Sequence, residues 1–328
     1  MTLVLREADV RRVLTVPDCV TWLEEAFRAY AAGQARNIPR ARVKHPGGTL
    51  HVLPAADLAA DAIGLKAYTS GRGGTRFGVL LYRASTGELL ALLESDYLGQ
   101  VRTGAASGVA TKYLAREDAR RLGVYGSGRQ AASQVAAVAA MRKLEAITVW
   151  SRDPERRARF AEQLTQELGV PARPASAPEE AARGQDVVVT ITTARDPVLR
   201  GEWLEPGVHV NAAGSNSLLR RELDDEAVQR ANLIVVDSRQ QARIECGDLL
   251  SPAERGIVEW DQLVELADVV AGTGRRRTSR DEITLFESQG LGLEDVATAM
   301  RVYERARAES IGQDLDLFAE VKPRPGRQ

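Results

Sequence analysis

The feature that most constrains this chain is a glycine-containing turn between a short apolar run and an alanine-rich stretch. Residues Leu122–Tyr125 predict a buried strand and Ala131–Met141 a helix, with Gly126-Ser-Gly128-Arg-Gln-Ala131 between them. Gly126 allows the tight turn, Gly128 lets the backbone approach a pyrophosphate, and the small Ala131 lets the helix pack closely on the strand. The helix N-terminus then faces the phosphates. The order predicts a dinucleotide-binding unit; the alternative is a glycine-rich turn without a ligand.

Strands and helices continue to alternate after this unit. A second strand is predicted at Ala146–Trp150 and a helix at Pro154–Leu168, followed by a Pro/Ala-rich connection from 170 to 178. Continuous apolar runs then predict strands at 186–192, 209–212 and 233–237. Such runs are typical of strands buried on both faces, so we predict a parallel sheet with helical crossovers between about residues 120 and 270.

The residues before this region have a different pattern. A helix is predicted over 16–32, because apolar residues recur there at helical spacing, and a second helix is predicted over 95–115. Between them, short runs separated by Gly-, Pro- and Ser-containing turns predict strands over 40–44, 49–53, 62–69, 77–83 and 88–94. The short connections predict a mostly antiparallel sheet. A long helix over 293–312 is expected to return to this region, and residues 322–328 are expected to be disordered.

Charge and cysteine content argue against several classes of protein. The 328 residues carry a net charge of -1, which creates no global field for nucleic acid or an anionic membrane. The only two cysteines, Cys19 and Cys246, are far apart and suggest a reducing compartment without a disulfide framework. No apolar run approaches the roughly 18 residues of a membrane span, and charges come too early for a signal peptide. We expect a soluble cytoplasmic protein.

The end of the second predicted strand indicates which dinucleotide is bound. An NAD site usually places Asp or Glu there to accept the ribose hydroxyls. This chain has Ser151-Arg152, a hydroxyl and a guanidinium that suit a 2'-phosphate, so NADP is favoured over NAD. The alternative is that the nearby Asp153 takes the acidic role and Arg152 is a solvated surface charge.

Lys66 stands out because lysine is rare here: five residues of the 44 that are Lys or Arg. Alternation in Ile63-Gly-Leu-Lys66-Ala-Tyr68 places Gly64, Lys66 and Tyr68 on one face of a predicted strand. A partly buried ammonium has a readily shifted pKa and can exchange protons, whereas a guanidinium cannot. A surface lysine whose charged end reaches solvent is the alternative reading of the same spacing.

Other polar residues are candidates for binding. Arg40, Arg42 and Arg102 are candidates for a bidentate pair with a substrate carboxylate, although any one of them can be a surface charge. Thr192, Thr193 and the segment 211–216 follow predicted parallel strands, where ligands of open sheets bind, or else they are ordinary turn residues. The histidines His45, His51 and His209 lack metal-ligand spacing, so we predict no metal site. No Cys/His cluster or Ser/His/Asp order suggests nucleophilic catalysis.

Several motifs together resemble one family. They are Gly64-Leu-Lys66, Val101-Arg102-Thr103-Gly-Ala-Ala-Ser, Gly126-Ser-Gly128-Arg-Gln130, Gly207-Val-His-Val-Asn211-Ala-Ala-Gly214 and Ile283-Thr-Leu-Phe-Glu-Ser288-Gln-Gly. In this order, over nearly the whole chain, they look like the ornithine cyclodeaminase and mu-crystallin family.

The resemblance implies an α/β fold in which a Rossmann-type parallel-sheet domain is inserted in a mixed α+β domain that binds substrate and dimerises. The implied limits are 116–292 for the NAD(P)-binding domain and 1–115, completed by 293–320, for the other. It implies that Arg40 and Arg102 hold the substrate carboxylate, with Arg42 as the alternative to Arg40, and that Lys66 lies beside the reacting carbon. The residues assigned to the cofactor are Thr75, Arg102, Thr103, Gly126, Ser127, Gly128, Arg129, Gln130, Ser151, Arg152, Thr192, Ala213 and Ser288.

One position departs from the family pattern. Where the cyclodeaminases and the alanine dehydrogenase have an aspartate that assists proton transfer, this chain has Asn216. An amide can hydrogen-bond but cannot act as a general base. The resemblance therefore favours an NAD(P)H-dependent reductase of imines bearing a carboxylate, such as cyclic ketimines, with Lys66 and Asn216 at the reacting atoms. Ornithine cyclodeaminase, an amino-acid dehydrogenase and a small-molecule binding protein similar to mu-crystallin are the alternatives; a homodimer is expected.

Overall fold

The structure is a computed structural model that describes residues 1–317. Its strands are β1 (Thr2–Leu5), β2 (Ala35–Asn37), β3 (Ala41–His45), β4 (Gly48–Asp57), β5 (Ala62–Gly71), β6 (Arg76–Arg83), β7 (Leu89–Glu94), β8 (Arg121–Tyr125), β9 (Ala146–Trp150), β10 (Ala172–Pro174), β11 (Val187–Thr190), β12 (His209–Ala212), β13 (Leu233–Val236), β14 (Val264–Glu265), β15 (Thr284–Glu287) and β16 (Gln313–Leu315). Its helices are α1 (Glu7–Val13), α2 (Val16–Ala31), α3 (Asp96–Leu114), α4 (Ala131–Met141), α5 (Pro154–Leu168), α6 (Asp225–Arg230), α7 (Arg239–Glu245), α8 (Gly247–Glu254), α9 (Leu266–Ala271) and α10 (Gly292–Ala308).

The strands form two separate sheets. In the first the order is β16-β1-β7-β6-β5-β4-β2, with β3 paired to β4, and every pair is antiparallel except β1 with β7. In the second the order is β10-β9-β8-β11-β12-β15-β13-β14, and all of its pairs are parallel. The predicted α/β class, with a parallel dinucleotide-binding sheet and a mixed second sheet, is confirmed. The domain limits stay a prediction.

Helix α3 packs against both sheets. An added Cβ at Gly104 would lie 2.3 Å from the carbonyl oxygen of Ser133, so α3 and α4 pack nearly backbone to backbone. Farther along α3, Thr111 Oγ1 accepts a 3.0 Å hydrogen bond from Asn211 of β12, and Thr284 of β15 donates one of 3.1 Å to the Leu114 carbonyl. Because α3 is buried along most of its length, the site residues that it carries are held rigidly.

The long return helix was predicted, but its end was not. α10 packs on α2, α3, β4 and β5, as expected for a segment that returns to the first region. It ends at Ala308 rather than 312, because Ser310 (φ 55°) and Gly312 (φ 99°) adopt left-handed conformations that turn the chain into β16. The expected disorder at 322–328 lies outside the described residues.

Several short elements were absent from the sequence prediction. The connection 170–178 contains β10, whose Pro174 is tolerated because β10 lies at the edge of its sheet. Strand β15 lies between β12 and β13, so the motif that begins at Ile283 crosses the centre of the parallel sheet. The sequence prediction also missed the strands β1, β2, β14 and β16 and the helices α1 and α6 to α9. Among residues 1–317 no helix is both long and apolar enough to cross a membrane.

Candidate functional site

A cavity of about 340 Å³ lies where β4, β5 and β6 meet α3 and the ends of β12 and β15. It brings together all of the predicted catalytic and substrate residues and many of the predicted cofactor residues. Its lining residues include Arg40, Arg42, Lys66, Thr75, Arg102, Thr103, Arg129, Gln130, Ala213, Asn216 and Ser288. Residues up to 250 positions apart in the chain, Arg40 and Gly290, therefore share one cavity.

Lys66 is the most buried cation of this cavity. Its side chain is 3% exposed, and its Nζ donates a 2.9 Å hydrogen bond to Asp295 Oδ1. The surface-lysine reading of the sequence was therefore wrong. The ammonium also lies 5.3 Å from the ring centre of Phe77, close enough for a cation–π contact.

The surroundings of Lys66 make its proton labile near neutral pH. Burial is the main cause and the positive charge of Arg102 the next, and together they lower the pKa of Lys66 to about 8. Asp295 opposes this shift by pairing with the ammonium. Lys66 is thus still largely protonated at pH 7, yet it can release its proton at little free-energy cost.

Arg102 of α3 shares the same carboxylate. Its Nε donates to Asp295 Oδ1 at 3.0 Å and its Nη1 to Glu294 Oε2 at 2.6 Å. Although burial opposes its charge, the two carboxylates raise the pKa of Arg102 above its ordinary value, so it stays charged. Asp295 therefore joins the lysine and the arginine that were predicted to contact substrate.

Arg40 and Arg42 converge on one other buried carboxylate. Glu245 forms an ion pair with Arg42 and lies 3.4 Å from Arg40 Nη1. Arg40 also donates to the carbonyl oxygens of Gln289, at 2.8 Å, and Gly290. Arg40 is the more buried of the two arginines, with 4% of its side chain exposed against 27% for Arg42. Both line the cavity, so the structure leaves either of them able to reach a substrate carboxylate.

A second cavity, of about 620 Å³, lies over the glycine turn. Gly126 has φ 121°, which an L side chain rarely adopts, whereas a Cβ added at Gly128 would meet nothing within 4 Å. The open space above Gly128 is where the predicted pyrophosphate would approach the backbone. The predicted residues on this cavity are Gly126, Ser127, Gly128, Ser151, Arg152, Thr192 and Thr193.

The two cavities lie on either side of the same turn. Gly128 borders the second cavity, and the next two residues, Arg129 and Gln130, border the first. A dinucleotide along the turn would thus have its nicotinamide end in the first cavity. Ser288 lines that cavity, and its buried Oγ has no hydrogen-bond partner among residues 1–317, which suits a ligand that donates or accepts there. Arg129 lies over Phe77 and pairs with Asp96 at 2.9 Å.

Glu222 fixes the ends of two central strands beside the turn. Its buried carboxylate accepts from Thr190 Oγ1 at 2.9 Å, from the Gly214 backbone at 2.7 Å and from the Thr192 backbone at 2.5 Å. Burial raises the pKa of this carboxyl despite those bonds. Glu222 thus holds the loops after β11 and β12, which carry Thr192 and Asn216, in fixed positions.

Asn216 lines the first cavity and contacts two of its arginines. Its Oδ1 accepts a 2.9 Å hydrogen bond from Arg220, and its carbonyl oxygen accepts one of 3.4 Å from Arg42. The amide is therefore oriented, with its Nδ2 hydrogens available to a ligand. It provides no group that titrates in the ordinary pH range.

The sequence prediction missed the acidic partners of the site, Glu245, Glu294 and Asp295. Glu294 and Asp295 occupy the first turn of α10, where acidic residues are ordinary because they favour the helix dipole. The usable signal was their position directly after the motif that ends at Gly290. A buried cation needs a buried counter-charge, and the nearest acidic residues to that motif were the best candidates.

The comparisons with known proteins agree over nearly the whole chain. The model of the ornithine cyclodeaminase/mu-crystallin family matches residues 1–310. The Delta(1)-pyrroline-2-carboxylate reductase of Bacillus cereus is 34% identical over 327 residues, which cover 96% of this chain and 100% of that protein. The Thermococcus litoralis enzyme of the same name, solved with NADH and L-proline, superposes with a TM-score of 0.92 at 33% identity, covering 96% of this chain and 100% of that one.

Two further solved structures are nearly as similar. An archaeal alanine dehydrogenase dimer with bound NAD has a TM-score of 0.91 at 33% identity and covers 97% of this chain and 99% of that one. The iminosuccinate reductase of Paracoccus denitrificans, in complex with NAD+, has a TM-score of 0.91 at 30% identity and covers 96% and 99%.

Proposed function

The chain belongs to the ornithine cyclodeaminase/mu-crystallin family, and on that premise we propose that it is an NAD(P)H-dependent reductase of imines that carry an adjacent carboxylate. Cyclic ketimines such as pyrroline-2-carboxylate and piperideine-2-carboxylate are examples of such substrates. The observation that carries the proposal is the buried, proton-labile ammonium of Lys66, which shares a cavity with two guanidinium groups and adjoins the glycine turn.

The nicotinamide dinucleotide supplies the hydride when it is bound. The open space above Gly128 and the unpartnered hydroxyl of Ser288 fit such a group, with its phosphates on the turn and its nicotinamide end in the first cavity. Thr75, Thr103 and Ala213 line the same end. These residues therefore hold the cofactor in the proposed function.

The cations of the cavity bind and orient the substrate. Arg40 and Arg102 hold the carboxylate and so fix the position of the imine carbon. The carbon is then held in the geometry that hydride transfer from the nicotinamide requires. Lys66 stabilises the same carboxylate and, with a pKa of about 8, keeps the imine nitrogen protonated at neutral pH. A protonated imine accepts hydride more readily than a neutral one because the negative charge that arrives is neutralised.

Asn216 separates this proposal from the deaminating alternatives. By the family resemblance, the cyclodeaminases and the alanine dehydrogenase have at this position an aspartate that assists proton transfer, and an amide cannot take that role. Asn216 instead orients the substrate nitrogen or a water through its Nδ2 hydrogens. The non-enzymatic alternative, a binding protein, needs no ammonium with a lowered pKa at the ligand, so Lys66 argues against it.

An assay with purified protein separates these functions. With NADPH and pyrroline-2-carboxylate we expect loss of absorbance at the nicotinamide band and formation of proline. A parallel reaction holds NAD and ornithine, and ammonia is measured. Ammonia release from ornithine without net change of the cofactor would favour cyclodeamination, and tight NADPH binding without turnover in either reaction would favour the binding protein.

We further propose that NADPH is preferred over NADH. Arg152 lines the second cavity beside Ser151, whose Oγ accepts a 3.0 Å hydrogen bond from Ser127. The nearby carboxylate of Asp153 accepts the backbone N–H of Arg156 at 3.0 Å as the N-cap of α5, so it is already engaged. The solved relatives contain NADH, NAD or NAD+ and therefore favour NADH, whereas Ser151 and Arg152 of this chain favour NADPH.

The cofactor preference is measured as the ratio of kcat/KM for NADPH to that for NADH. We expect the ratio to exceed one and to fall about tenfold in Arg152→Gln, the usual loss for one charge-assisted hydrogen bond. Arg159→Gln, which removes the same charge from the exposed face of α5, is the matched control. A wild-type preference for NADH would contradict the proposal.

We also propose that two copies of the chain associate through the outer face of the first sheet. Pro54, Leu65, Leu80 and Leu92 form one row across β4, β5, β6 and β7, and each is only half-buried. Ile63 on the same face is 44% exposed. A contiguous apolar sheet face of this kind usually marks an interface. Light scattering should give a dimer for the wild type and a monomer for Leu80→Glu; a wild-type monomer at micromolar concentration would refute the interface.

A further inference from the structure

The first cavity has more cationic side chains than are needed to bind the one carboxylate of the proposed substrate. Six cationic side chains line it, and none of its lining residues is acidic. These cations are Arg40, Arg42, Lys66, Arg102, Arg129 and Arg220. A cavity lined by one sign of charge attracts ligands of the other sign.

Acidic residues behind the lining neutralise only part of this charge. Glu245 forms ion pairs with both Arg40 and Arg42, and Asp295 forms ion pairs with both Lys66 and Arg102. Glu294 adds a second carboxylate for Arg102, and Asp96 pairs with Arg129. The six cations thus face four carboxylates, so the cavity keeps an excess of two positive charges. Burial also raises the pKa of Glu294, which weakens its share of the neutralisation.

The excess charge lies at one part of the cavity, around Asn216. Arg220 donates a 2.9 Å hydrogen bond to the Asn216 side chain and forms no ion pair among residues 1–317. Arg42 donates a 3.4 Å hydrogen bond to the Asn216 backbone carbonyl, and its acidic partner Glu245 also pairs with Arg40. The two guanidinium groups therefore flank one residue. Lys66 and Arg102 form a separate group around Asp295. In the proposed function they hold the carboxylate next to the imine together with Arg40.

We infer that Arg220 and Arg42 form a subsite for a second acidic group of the substrate, so that the preferred imine is a dicarboxylate. This inference rests on the proposed function and narrows its substrate class. A protonated imine with one carboxylate is neutral overall and leaves the excess of two charges in place. A second carboxylate gives the substrate a charge of -1 and supplies the planar anionic partner that guanidinium groups bind through paired hydrogen bonds.

The reaction itself is unchanged by the second carboxylate. One hydride from the reduced nicotinamide bonds to the imine carbon, one proton bonds to or remains on the nitrogen, and the products are the amino acid and the oxidised cofactor. Arg220 and Arg42 take no part in bond making. They determine which imine is held with its carbon facing the nicotinamide.

The test compares two acyclic imines that differ only in the second carboxylate. They are formed in solution from ammonium with pyruvate and from ammonium with oxaloacetate, and NADPH oxidation is followed. We expect kcat/KM to be at least about tenfold higher for the dicarboxylate imine, the usual effect of a charge-assisted hydrogen bond. In Arg220→Gln that ratio should fall by about tenfold. Arg129→Gln, which removes the same charge from the same cavity but from an arginine paired with Asp96, should leave the ratio within about twofold.

Several results would overturn the subsite. They are a wild-type ratio near one, an equal fall in Arg220→Gln and Arg129→Gln, or an Arg220→Gln defect confined to the KM for NADPH, which would assign Arg220 to the cofactor. A binding measurement separates this inference from the proposed function. If no imine is reduced, the proposed function fails, but succinate should still raise the thermal unfolding temperature of the NADP+ complex more than propionate does. Loss of that difference in Arg220→Gln would support the subsite, and its absence in the wild type would reject it.

Discussion

Replacement of Asp295 by asparagine should shift the pH dependence of imine reduction toward acid. The substitution keeps the shape of the side chain and removes the negative charge that Lys66 and Arg102 share at 2.9 and 3.0 Å. Without that charge the Lys66 ammonium is less favoured, so its pKa falls further below its value of about 8. Reduction requires the protonated lysine, and kcat/KM therefore declines at a lower pH than in the wild type.

The size of the shift follows from the burial of the pair. Breaking a buried ion pair costs about 3–5 kcal/mol. Because Lys66 and Arg102 share this carboxylate, we assign about 2 kcal/mol of that free energy to stabilisation of the Lys66 ammonium. At about 1.36 kcal/mol for each unit of pKa, the decline moves from near pH 8 to about pH 6.5. At pH 7.5 the protonated fraction of Lys66, and with it kcat/KM, should be about eightfold lower than in the wild type.

The assay is the pH profile of kcat/KM for pyrroline-2-carboxylate at saturating NADPH, because titration of the substrate is then common to all variants. Glu294→Gln is the control, since Glu294 pairs with Arg102 and not with Lys66, and its profile should stay in place. An Asp295→Asn profile with the wild-type midpoint and a uniformly lower plateau would refute the argument, because it would mean that Asp295 only shapes the cavity.

Three further predictions concern the lysine, the glycine turn and a buried histidine. Lys66→Ala should abolish turnover and leave NADPH affinity, measured by fluorescence titration, nearly unchanged; equal activity would remove Lys66 from the mechanism. Gly128→Ala should fold normally, since its Cβ meets nothing within 4 Å, but raise the KM for NADPH about tenfold or more; an unchanged KM would place the pyrophosphate elsewhere. Burial lowers the pKa of His209 to about 3, so protons favour the unfolded chain and stability is lost as pH falls from about 6.5 toward 3, by about 1.4 kcal/mol per pH unit. In His209→Gln the slope of the unfolding free energy against pH, obtained from urea titrations, should be shallower by that amount, and an unchanged slope would assign the acid sensitivity to other groups.

Local patterns allowed much of the fold to be predicted. The glycine turn, β8, α4 and β9 follow from periodicity and turn chemistry within about 30 residues, and the structure confirms them. The short strands β10 and β15 were missed because, unlike β11 and β13, they are not part of a continuous apolar run: β10 contains Arg173 and Pro174, and β15 begins with Thr284 and ends with Glu287. Their pairing is decided by neighbours that are distant in sequence.

The cationic residues of the site could be predicted from the sequence, but the acidic residues that pair with them could not. Lys66 was distinguished by its rarity and by strand alternation, which are both local signals. Asp295 contacts it from 229 positions later in the chain, and no local pattern reports such a contact. The sharing of Asp295 between Lys66 and Arg102 depends on how α10 packs on β5 and α3, and only the tertiary structure determines that packing.

The transfer of an isotope from cofactor to product tests the central claim most directly. NADPH carrying deuterium at the transferable position of the nicotinamide is incubated with the protein and pyrroline-2-carboxylate, and the product is examined by mass spectrometry and proton NMR. Hydride delivery beside Lys66 predicts proline with one deuterium at the carbon that bears the carboxylate, in a one-to-one ratio with oxidised cofactor. Proline without deuterium, or cofactor oxidation without proline, would contradict it.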